Sequence, residues 1–274
     1  MLDNNTELKQ LLQLTIEASV AAGKKILHVY NTRDFDVEFK SDDSPLTTAD
    51  ELAHECISKR LSKTPFPILS EEGKSIPYSE RKSWDTFWLV DPLDGTKEFI
   101  KRNGEFTVNI ALIENGVPTL GVVYAPYVAD LYFGTSKFGA YKVENLAADT
   151  EPVDLQIDDL MKRGFILPET CEGRCYTIVG SRSHMNKATE DFINELADKH
   201  EHVEFVSKGS SLKLCMIAEG KADVYPRFAP TMEWDTGAGQ AIVEAAGYKV
   251  LLHESDQPLR YNKEDLTNPW FIAK

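Results

Sequence analysis

Three short acidic stretches place carboxylates where apolar segments end or begin, and this arrangement constrains the chain more than any other feature of its sequence. Residues 70–73 follow the apolar run 66–69, residues 91–96 follow the run 88–90, and residues 234–237 precede the apolar segment 238–246. Short bounded apolar runs are typical of buried strands, and an acidic residue before an apolar helix is typical of its first turn. We therefore predict a layered fold in which these carboxylates lie at strand ends and helix starts.

The apolar pattern predicts both helices and strands. A 3.6-residue periodicity indicates a helix from about Thr6 to Tyr30, capped by Asn4 and Glu7, and a second helix follows residue 48. Strands are expected at 35–39, 66–70, 86–91 and repeatedly across 107–141. From residue 176 strands and helices alternate: strands at 176–180, 203–206, 222–225 and 248–252, and helices at 187–198, 210–219 and 235–246. This alternation favours an α/β layered architecture.

The polar, weakly patterned segment 145–170 is the expected domain boundary. With 274 residues, the chain is long enough for roughly two domains. We expect an N-terminal α+β domain, residues 1–150, with the main metal-binding motifs. A C-terminal α/β domain, residues 151–274, would carry the substrate-binding residues and the last acidic ligand.

Charge and hydropathy exclude two classes of protein. The formal net charge of −14 argues against a nucleic acid polymer as partner, because such binding needs a basic surface. No apolar run approaches the roughly 20 residues that a membrane-spanning helix requires, and the first residues lack the positive charge of a signal peptide. We therefore expect a cytoplasmic protein without a transmembrane segment.

Residues 91–96 have the composition of a cation site. The run 88–90 brings Asp91 to the end of a strand, which Pro92 is expected to stop, and Asp94-Gly95 makes a turn. Asp91, Asp94 and the Leu93 carbonyl are hard oxygen ligands of the kind that Mg²⁺ prefers. The amide groups of Gly95 and Thr96 would face a phosphate at the start of a short helix.

Each acidic stretch alone also has an ordinary structural interpretation. Residues 91–96 could be a turn with an N-cap aspartate, and Glu71-Glu72 a solvated acidic turn. Asp235 could be a plain helix N-cap, and Asp50 an acidic residue in the first turn of a helix. It is their occurrence together in one chain that favours a metal site.

Taken together, these residues resemble the inositol monophosphatase family of Mg²⁺-dependent, Li⁺-sensitive phosphatases, over most of the chain. The motifs that carry the resemblance are 47–50, 70–72, 88–96 and Trp234-Asp235. Leu93, the extension 97–109 and residues 225–228 are similar to the CysQ branch, the 3′(2′),5′-bisphosphate nucleotidases. The resemblance implies an αβαβα sandwich of mixed sheets and helices. Gly237 departs from the family pattern, which usually has Ala there, but the change removes no ligand.

The resemblance also implies roles for individual residues. Glu71, Asp91 and the Leu93 carbonyl would hold one Mg²⁺, and Asp91, Asp94 and Asp235 a second, with two or three ions in all. Asp50 and Thr96 would orient the attacking water. The implied substrate-binding set comprises Glu71, Asp91, Leu93, Asp94, Gly95, Thr96, His184, Ser210, Lys213, Arg227 and Asp235.

Three functions stay open from the sequence. The first is a phosphoric monoester hydrolase that removes the 3′-phosphate of adenosine 3′,5′-bisphosphate (PAP), and acts also on its sulfated form PAPS, in sulfate assimilation. Two metal ions would hold the phosphate and activate a water. The second is an inositol or other sugar monophosphatase of the same fold. The third is a non-catalytic metal- or nucleotide-binding protein.

The remaining expectations concern partners and inhibition. The expected partner is a small phosphorylated nucleotide, and the family resemblance implies inhibition by Li⁺. The sequence leaves open a homodimer and a peripheral association with the inner membrane.

Overall fold

The computed structural model describes residues 5–31, 37–39, 45–169, 173–181 and 185–274. Asn4 of the expected helix cap and the candidate His184 lie outside this part of the chain.

Helices and strands alternate along the described chain. The helices are α1 Asn5–Asn31, α2 Thr48–Leu61, α3 Tyr78–Arg81, α4 Thr96–Ile100, α5 Ile157–Arg163, α6 Lys187–Ala197, α7 Leu212–Ala218 and α8 Glu233–Ala245. The strands of the first half are β1 Val37–Phe39, β2 Pro45–Thr47, β3 Ile68–Ser70, β4 Thr86–Asp94, β5 Thr107–Glu114, β6 Val117–Ala125, β7 Asp130–Thr135 and β8 Gly139–Val143. Those that follow are β9 Phe165–Leu167, β10 Tyr176–Gly180, β11 Val203–Ser207, β12 Tyr225–Arg227, β13 Val250–Leu252 and β14 Phe271–Ala273.

A seven-stranded mixed sheet forms the centre of the fold. Its strands follow the order β3-β4-β5-β6-β7-β8-β9, with β3 and β4 parallel and the other neighbours antiparallel. Smaller sheets pair β10 with β11 in parallel and place β14 between β12 and β13. The bridge between Ile178 and Val224 connects these smaller sheets.

Helices cover both faces of the large sheet. On one face α1 and α2 bury a core that includes Leu12, Ile57 and Trp88. On the other face α7 and α8 pack between the large sheet and the smaller sheets around Leu89 and Ile242. Helix α6 covers the far side of the smaller sheets. These layers confirm the predicted αβαβα sandwich.

The close approach of α8 to the sheet depends on a glycine. A Cβ placed on Gly121 of β6 would lie 2.2 Å from the carbonyl oxygen of Ala238 in α8. No side chain fits at that distance, because the atom it would meet belongs to a helix backbone. Gly121 therefore lets α8 lie directly on the sheet, and α8 carries one of the candidate ligands.

Several element boundaries differ from the sequence-based expectation. Strand β4 continues through Pro92 to Asp94, with a register shift after Asp91, so the prediction that Pro92 stops the strand is wrong. The shift accommodates the missing proline N–H within the sheet. Helix α8 begins at Glu233 rather than at Asp235. The segment expected to be weakly patterned contains α5 and β9, and β9 extends the large sheet beyond residue 150.

Candidate active site

The pairing of β3 with β4 brings the first two acidic stretches together. In this parallel pair Ser70 lies opposite Val90, and the amide of Glu71 donates to the Val90 carbonyl oxygen at 3.1 Å. Parallel strands end at the same edge of a sheet. The next residues on the two strands, Glu71 and Asp91, are therefore neighbours at that edge.

Helix α8 supplies the third carboxylate. Met232 is the N-cap residue, and its amide donates to Asp235 Oδ2 at 2.9 Å, so Asp235 is the third helical residue and completes the cap from within the first turn. One carboxylate oxygen from each of Glu71, Asp91 and Asp235 lies within 4.8 Å of the others. The structure thus brings together carboxylates from three separate parts of the chain.

The end of β4 and the turn after it form the floor of the same cleft. The amide of Leu93 donates to Asp91 Oδ1 at 3.1 Å, which holds this carboxylate against its own loop. Gly95 has a φ of 92°, a backbone conformation that favours glycine, and Thr96 begins α4. The Thr96 hydroxyl donates to the Leu93 carbonyl oxygen at 3.4 Å; the expected role of Thr96 and Asp50 in orienting the attacking water stays a prediction.

Asp94 is held by two buried side chains that the sequence analysis missed. Its Oδ2 atom accepts from Asn109 Nδ2 at 3.3 Å and from Ser211 Oγ at 3.0 Å. Asn109 is 1% and Ser211 2% exposed. Asn109 lies between Val108 and Ile110 in the apolar alternation of β5, a position where a polar residue is ordinary, so the pattern predicts no role for it. Ser211 resembles any serine before a helix.

Burial and repulsion by neighbouring charges raise the pKa values of two of the clustered carboxyl groups, Asp91 and Asp235. The pKa of Asp91 lies well above its usual range because the group is buried, and the charges of Glu71, Asp94, Asp235 and Asp50 add to the effect. The pKa of Asp235 rises to about 8, mainly through burial and then through the charge of Asp94. A site that disfavours its own negative charge in this way favours a bound cation.

Basic side chains, which we call the basic wall, line the same cleft as the carboxylates of the acidic wall. Lys213 Nζ donates to the Ser210 carbonyl oxygen at 2.6 Å and to the Lys208 carbonyl oxygen at 3.3 Å. Burial, together with the charge of Arg227, lowers the pKa of Lys213 to about 8, although nearby carboxylates such as Asp94 oppose the shift. The lysine is therefore still largely charged at pH 7. Arg227 donates through Nη2 to the Pro230 carbonyl oxygen at 2.9 Å.

The two walls enclose a cavity of about 290 Å³. Every candidate substrate-binding residue that the structure describes lines it: Glu71, Asp91, Leu93, Asp94, Gly95, Thr96, Ser210, Lys213, Arg227 and Asp235. The Nε atom of Arg227 is buried and has no hydrogen-bond partner among the described residues. A buried donor of this kind is suited to an anionic ligand, because an unpaired buried N–H is unfavourable.

Asp50 occupies a different position from the other acidic residues. It lies in the first turn of α2 and is 1% exposed. It is close enough to Asp91 to raise the pKa of that group, but it is not among the residues that line the cavity. His184 lies outside the described residues, so its expected contact with the substrate stays a prediction.

The sequence and the fold match those of a known family of phosphatases. The chain belongs to the inositol monophosphatase family, whose sequence model matches residues 7–269. The structure of an inositol monophosphatase from Anabaena (Nostoc) sp. superposes with a TM-score of 0.70 at 24% identity, covering 98% of this chain and 91% of that one. At that identity the likeness supports the fold alone.

Within the family, this chain is similar to proteins named CysQ. The 3′(2′),5′-bisphosphate nucleotidase CysQ of Escherichia coli (strain K12) is 44% identical over 255 residues, 91% of this chain and 94% of the relative. The crystal structure of CysQ from Bacteroides thetaiotaomicron superposes with a TM-score of 0.90 at 52% identity and covers 98% of both chains.

The donor set at this cleft fits Mg²⁺. The converging groups are carboxylates, and the carbonyl of Leu93 lies beside them, which matches the oxygen ligands that Mg²⁺ takes. Their raised pKa values show that the cluster is electrostatically unfavourable without a cation. The chain thus has the acidic residues that metal dependence requires, as is typical of the family.

Proposed function

We propose that this protein is a Mg²⁺-dependent 3′(2′),5′-bisphosphate nucleotidase that hydrolyses the 3′-phosphate of adenosine 3′,5′-bisphosphate to AMP and phosphate. PAPS is a second candidate substrate. The observation that carries the proposal is that one cleft is lined both by clustered carboxylates and by the basic residues Lys213 and Arg227. The similarity to CysQ nucleotidases over most of the chain supports the same substrate.

The acidic wall would hold the metal. We assign Glu71, Asp91 and the Leu93 carbonyl to one ion, and Asp91, Asp94 and Asp235 to a second. When bound, Mg²⁺ supplies charge neutralisation for the reacting phosphate and a water with a lowered pKa. The chain's own contribution is to fix these oxygens before substrate binds, through the hydrogen bonds from Leu93 to Asp91 and from Met232 to Asp235.

Asp50 and Thr96 are proposed to orient the attacking water. Thr96 lines the cleft beside Asp94, and its hydroxyl is within reach of the Leu93 carbonyl. Asp50 is buried close to Asp91. A hydroxyl accepts a hydrogen bond from water with one lone pair while its own proton goes to an acceptor. In this arrangement Asp50 would accept a hydrogen bond from the Thr96 hydroxyl. That hydrogen bond would set the direction of the Thr96 lone pair that faces the water.

The basic wall would bind the phosphate that does not react. Lys213 and Arg227 line the same cleft as the carboxylates, and the buried Nε of Arg227 is available to an anion. Guanidinium and phosphate form paired hydrogen bonds, and the ammonium of Lys213 adds a point charge. An inositol monophosphate has no second phosphate for these two groups to neutralise.

A comparison of substrates tests the proposal. Hydrolysis of adenosine 3′,5′-bisphosphate, adenosine 3′-monophosphate and inositol 1-phosphate is measured with Mg²⁺ at equal concentration. We expect the largest kcat/KM for the bisphosphate. Equal or greater values for either monoester would exclude the bisphosphate as the preferred substrate and favour the sugar-phosphate alternative.

Substitution of Asp91 distinguishes the enzyme from a binding protein. Asp91→Asn keeps the size of the side chain and removes one of the clustered charges. We expect turnover of the bisphosphate to be lost while the far-UV circular dichroism spectrum is unchanged. Turnover that survives this substitution would contradict the assignment of Asp91 to the metal.

Three expectations stay predictions. The division into residues 1–150 and 151–274 is one, although α7 and α8 of the second half complete the cleft of the first. The cytoplasmic location, with or without peripheral association at the inner membrane, is another; no described helix is long and apolar enough to cross a bilayer. The homodimer is the third.

A further inference from the structure

A chain of buried polar side chains connects β5 to the start of α7 beneath the cleft. Thr107 Oγ1 donates to Asn109 Oδ1 at 3.0 Å, and Asn109 Nδ2 donates to Ser211 Oγ at 2.8 Å. Ser211 Oγ lies 3.0 Å from Asp94 Oδ2 and 2.9 Å from the carbonyl oxygen of Asp235. Thr107 is fully buried, and Asn109 and Ser211 nearly so.

The carboxylate of Asp94 determines which end of the Asn109 amide faces it. A carboxamide has an acceptor end and a donor end, and an ionised carboxylate only accepts. The NH₂ group therefore points at Asp94 Oδ2 and Ser211 Oγ, which leaves Oδ1 to accept from Thr107. The opposite orientation would place a carbonyl oxygen against a carboxylate. Asn109 therefore presents fixed donors to Asp94.

The single proton of Ser211 has two acceptors. One is the carboxylate of Asp94 and the other is the backbone carbonyl of Asp235. A hydrogen bond to an ionised acceptor is stronger than one to a neutral acceptor. When Asp94 is ionised the proton is thus directed to Asp94, while Ser211 stays in contact with the backbone of the helix that carries Asp235.

We propose that Ser211 and Asn109 are positioning residues for the metal site, because together they fix Oδ2 of Asp94 and leave Oδ1 to the cation. The inference rests on the proposed assignment of Asp94 to a metal ion. Neither residue touches the reacting atoms. Ser211 also lies 2.9 Å from the backbone carbonyl oxygen of Asp235, so it lies between two candidate ligand residues from opposite halves of the chain.

The test measures cation binding to the substrate-free protein. The probe is Mn²⁺, which takes the same oxygen ligands as Mg²⁺, and free Mn²⁺ is followed by electron paramagnetic resonance. The variants are Ser211→Ala and Asn109→Leu. Removal of a hydrogen-bond partner of a metal ligand typically weakens metal affinity by about 10- to 100-fold. We expect the Mn²⁺ dissociation constant to rise about tenfold or more in each variant.

Ser19→Ala is the matched control. Ser19 is fully buried in α1, and its hydroxyl donates to the Thr15 carbonyl at 2.9 Å, so the same atom is lost from a helix outside the cleft. We expect a change in Mn²⁺ affinity of less than about twofold, since no candidate ligand loses a donor. Urea unfolding in EDTA shows whether each variant is folded.

The outcomes separate this inference from the proposed function. If the wild type binds Mn²⁺ and both folded variants stay within twofold of it, the positioning role is refuted and the nucleotidase proposal is unaffected. If both variants weaken Mn²⁺ binding but the wild type prefers a monoester, the positioning role is supported and the substrate proposal fails. A wild-type protein that binds no Mn²⁺ would overturn both. Should Ser211→Ala be unfolded, Asn109→Leu alone decides.

Discussion

Replacement of Asp235 by Asn should stabilise the metal-free protein at alkaline pH while weakening its response to Mg²⁺. Asp235 is destabilised in its ionised form by burial and by the charge of Asp94. Asn has nearly the same shape, and its Oδ1 atom can still accept the hydrogen bond that the Met232 amide donates to Asp235. The substitution therefore removes a repelled charge without removing the helix cap.

The sign and size of the effect follow from the pKa. An ordinary aspartate loses its proton near pH 3.8, whereas Asp235 in the folded protein retains it until about pH 8. Between these values the folded state binds a proton that the unfolded state has lost. The free energy of unfolding therefore falls as the pH rises through this window and levels off above it.

The full pKa difference would correspond to about 6 kcal/mol, at about 1.4 kcal/mol per pKa unit. Asp235 is only partly buried in the cleft wall, where water screens the charge, so we expect about half of this, ~3 kcal/mol. Asp91 has a raised pKa as well. Some pH dependence should therefore remain in Asp235→Asn.

Urea unfolding in EDTA at several pH values measures this effect. From about pH 5.5 to about pH 8.5 we expect the wild type to lose ~2 kcal/mol more stability than Asp235→Asn. Asp159→Asn is the control, because Asp159 is an exposed aspartate of α5 and its loss should leave the wild-type slope unchanged. Addition of Mg²⁺ should stabilise the wild type more than Asp235→Asn, which retains only the proposed ion site that does not use Asp235. Parallel pH profiles for the wild type and Asp235→Asn would refute the reasoning.

Three further predictions concern packing, the basic wall and inhibition. Gly121→Ala should lower the free energy of unfolding by about 3 kcal/mol or more in urea titrations, because its Cβ would meet the Ala238 carbonyl oxygen; a loss under about 1 kcal/mol would contradict this packing. The KM for the bisphosphate should rise about fivefold between pH 7 and pH 9, because Lys213, with a pKa of about 8, loses its proton in this range. Lys213→Arg should flatten that rise. A KM that rises equally for adenosine 3′-monophosphate would argue against binding of the second phosphate by Lys213. Millimolar Li⁺ should inhibit turnover by competing at a Mg²⁺ position, which steady-state rates at several Mg²⁺ concentrations would measure. Turnover that is insensitive to Li⁺ would show that the site is not of the family type.

Long periodic elements could be predicted from the sequence because their signals are local. The apolar stripe of α1, including Leu12, Ile16 and Ile26, is buried as expected, and β10 has the predicted bounds. Short elements depend on distant partners. Strand β12 begins at Tyr225, three residues after the expected start at Ala222, because its pairing partner β14 lies near the end of the chain. Local patterns carry no information about that pairing.

The same distinction applies to the site. Strand ends and helix starts are local signals, and they identified Glu71, Asp91 and Asp235 as candidates. That Ser70 lies opposite Val90, which makes Glu71 and Asp91 neighbours, is a matter of strand register. Ser211 acquires its importance only from the 3.0 Å contact with a carboxylate more than a hundred residues earlier.

The hydrogen bonds of the three aspartates explain how the fold holds a cluster of repelling charges open to the cleft. Within the described residues, Asp91 accepts through Oδ1 alone, and Asp94 and Asp235 each accept through Oδ2 alone. Each carboxylate therefore has one oxygen fixed by protein donors and a second oxygen that the protein does not use. Complete satisfaction of both oxygens would stabilise the metal-free fold and weaken the attraction for a cation, whereas a cluster with no donors would be free to rotate or protonate. Donation to one oxygen of each group fixes the direction of the other before a cation arrives, and the remaining repulsion is what a cation relieves.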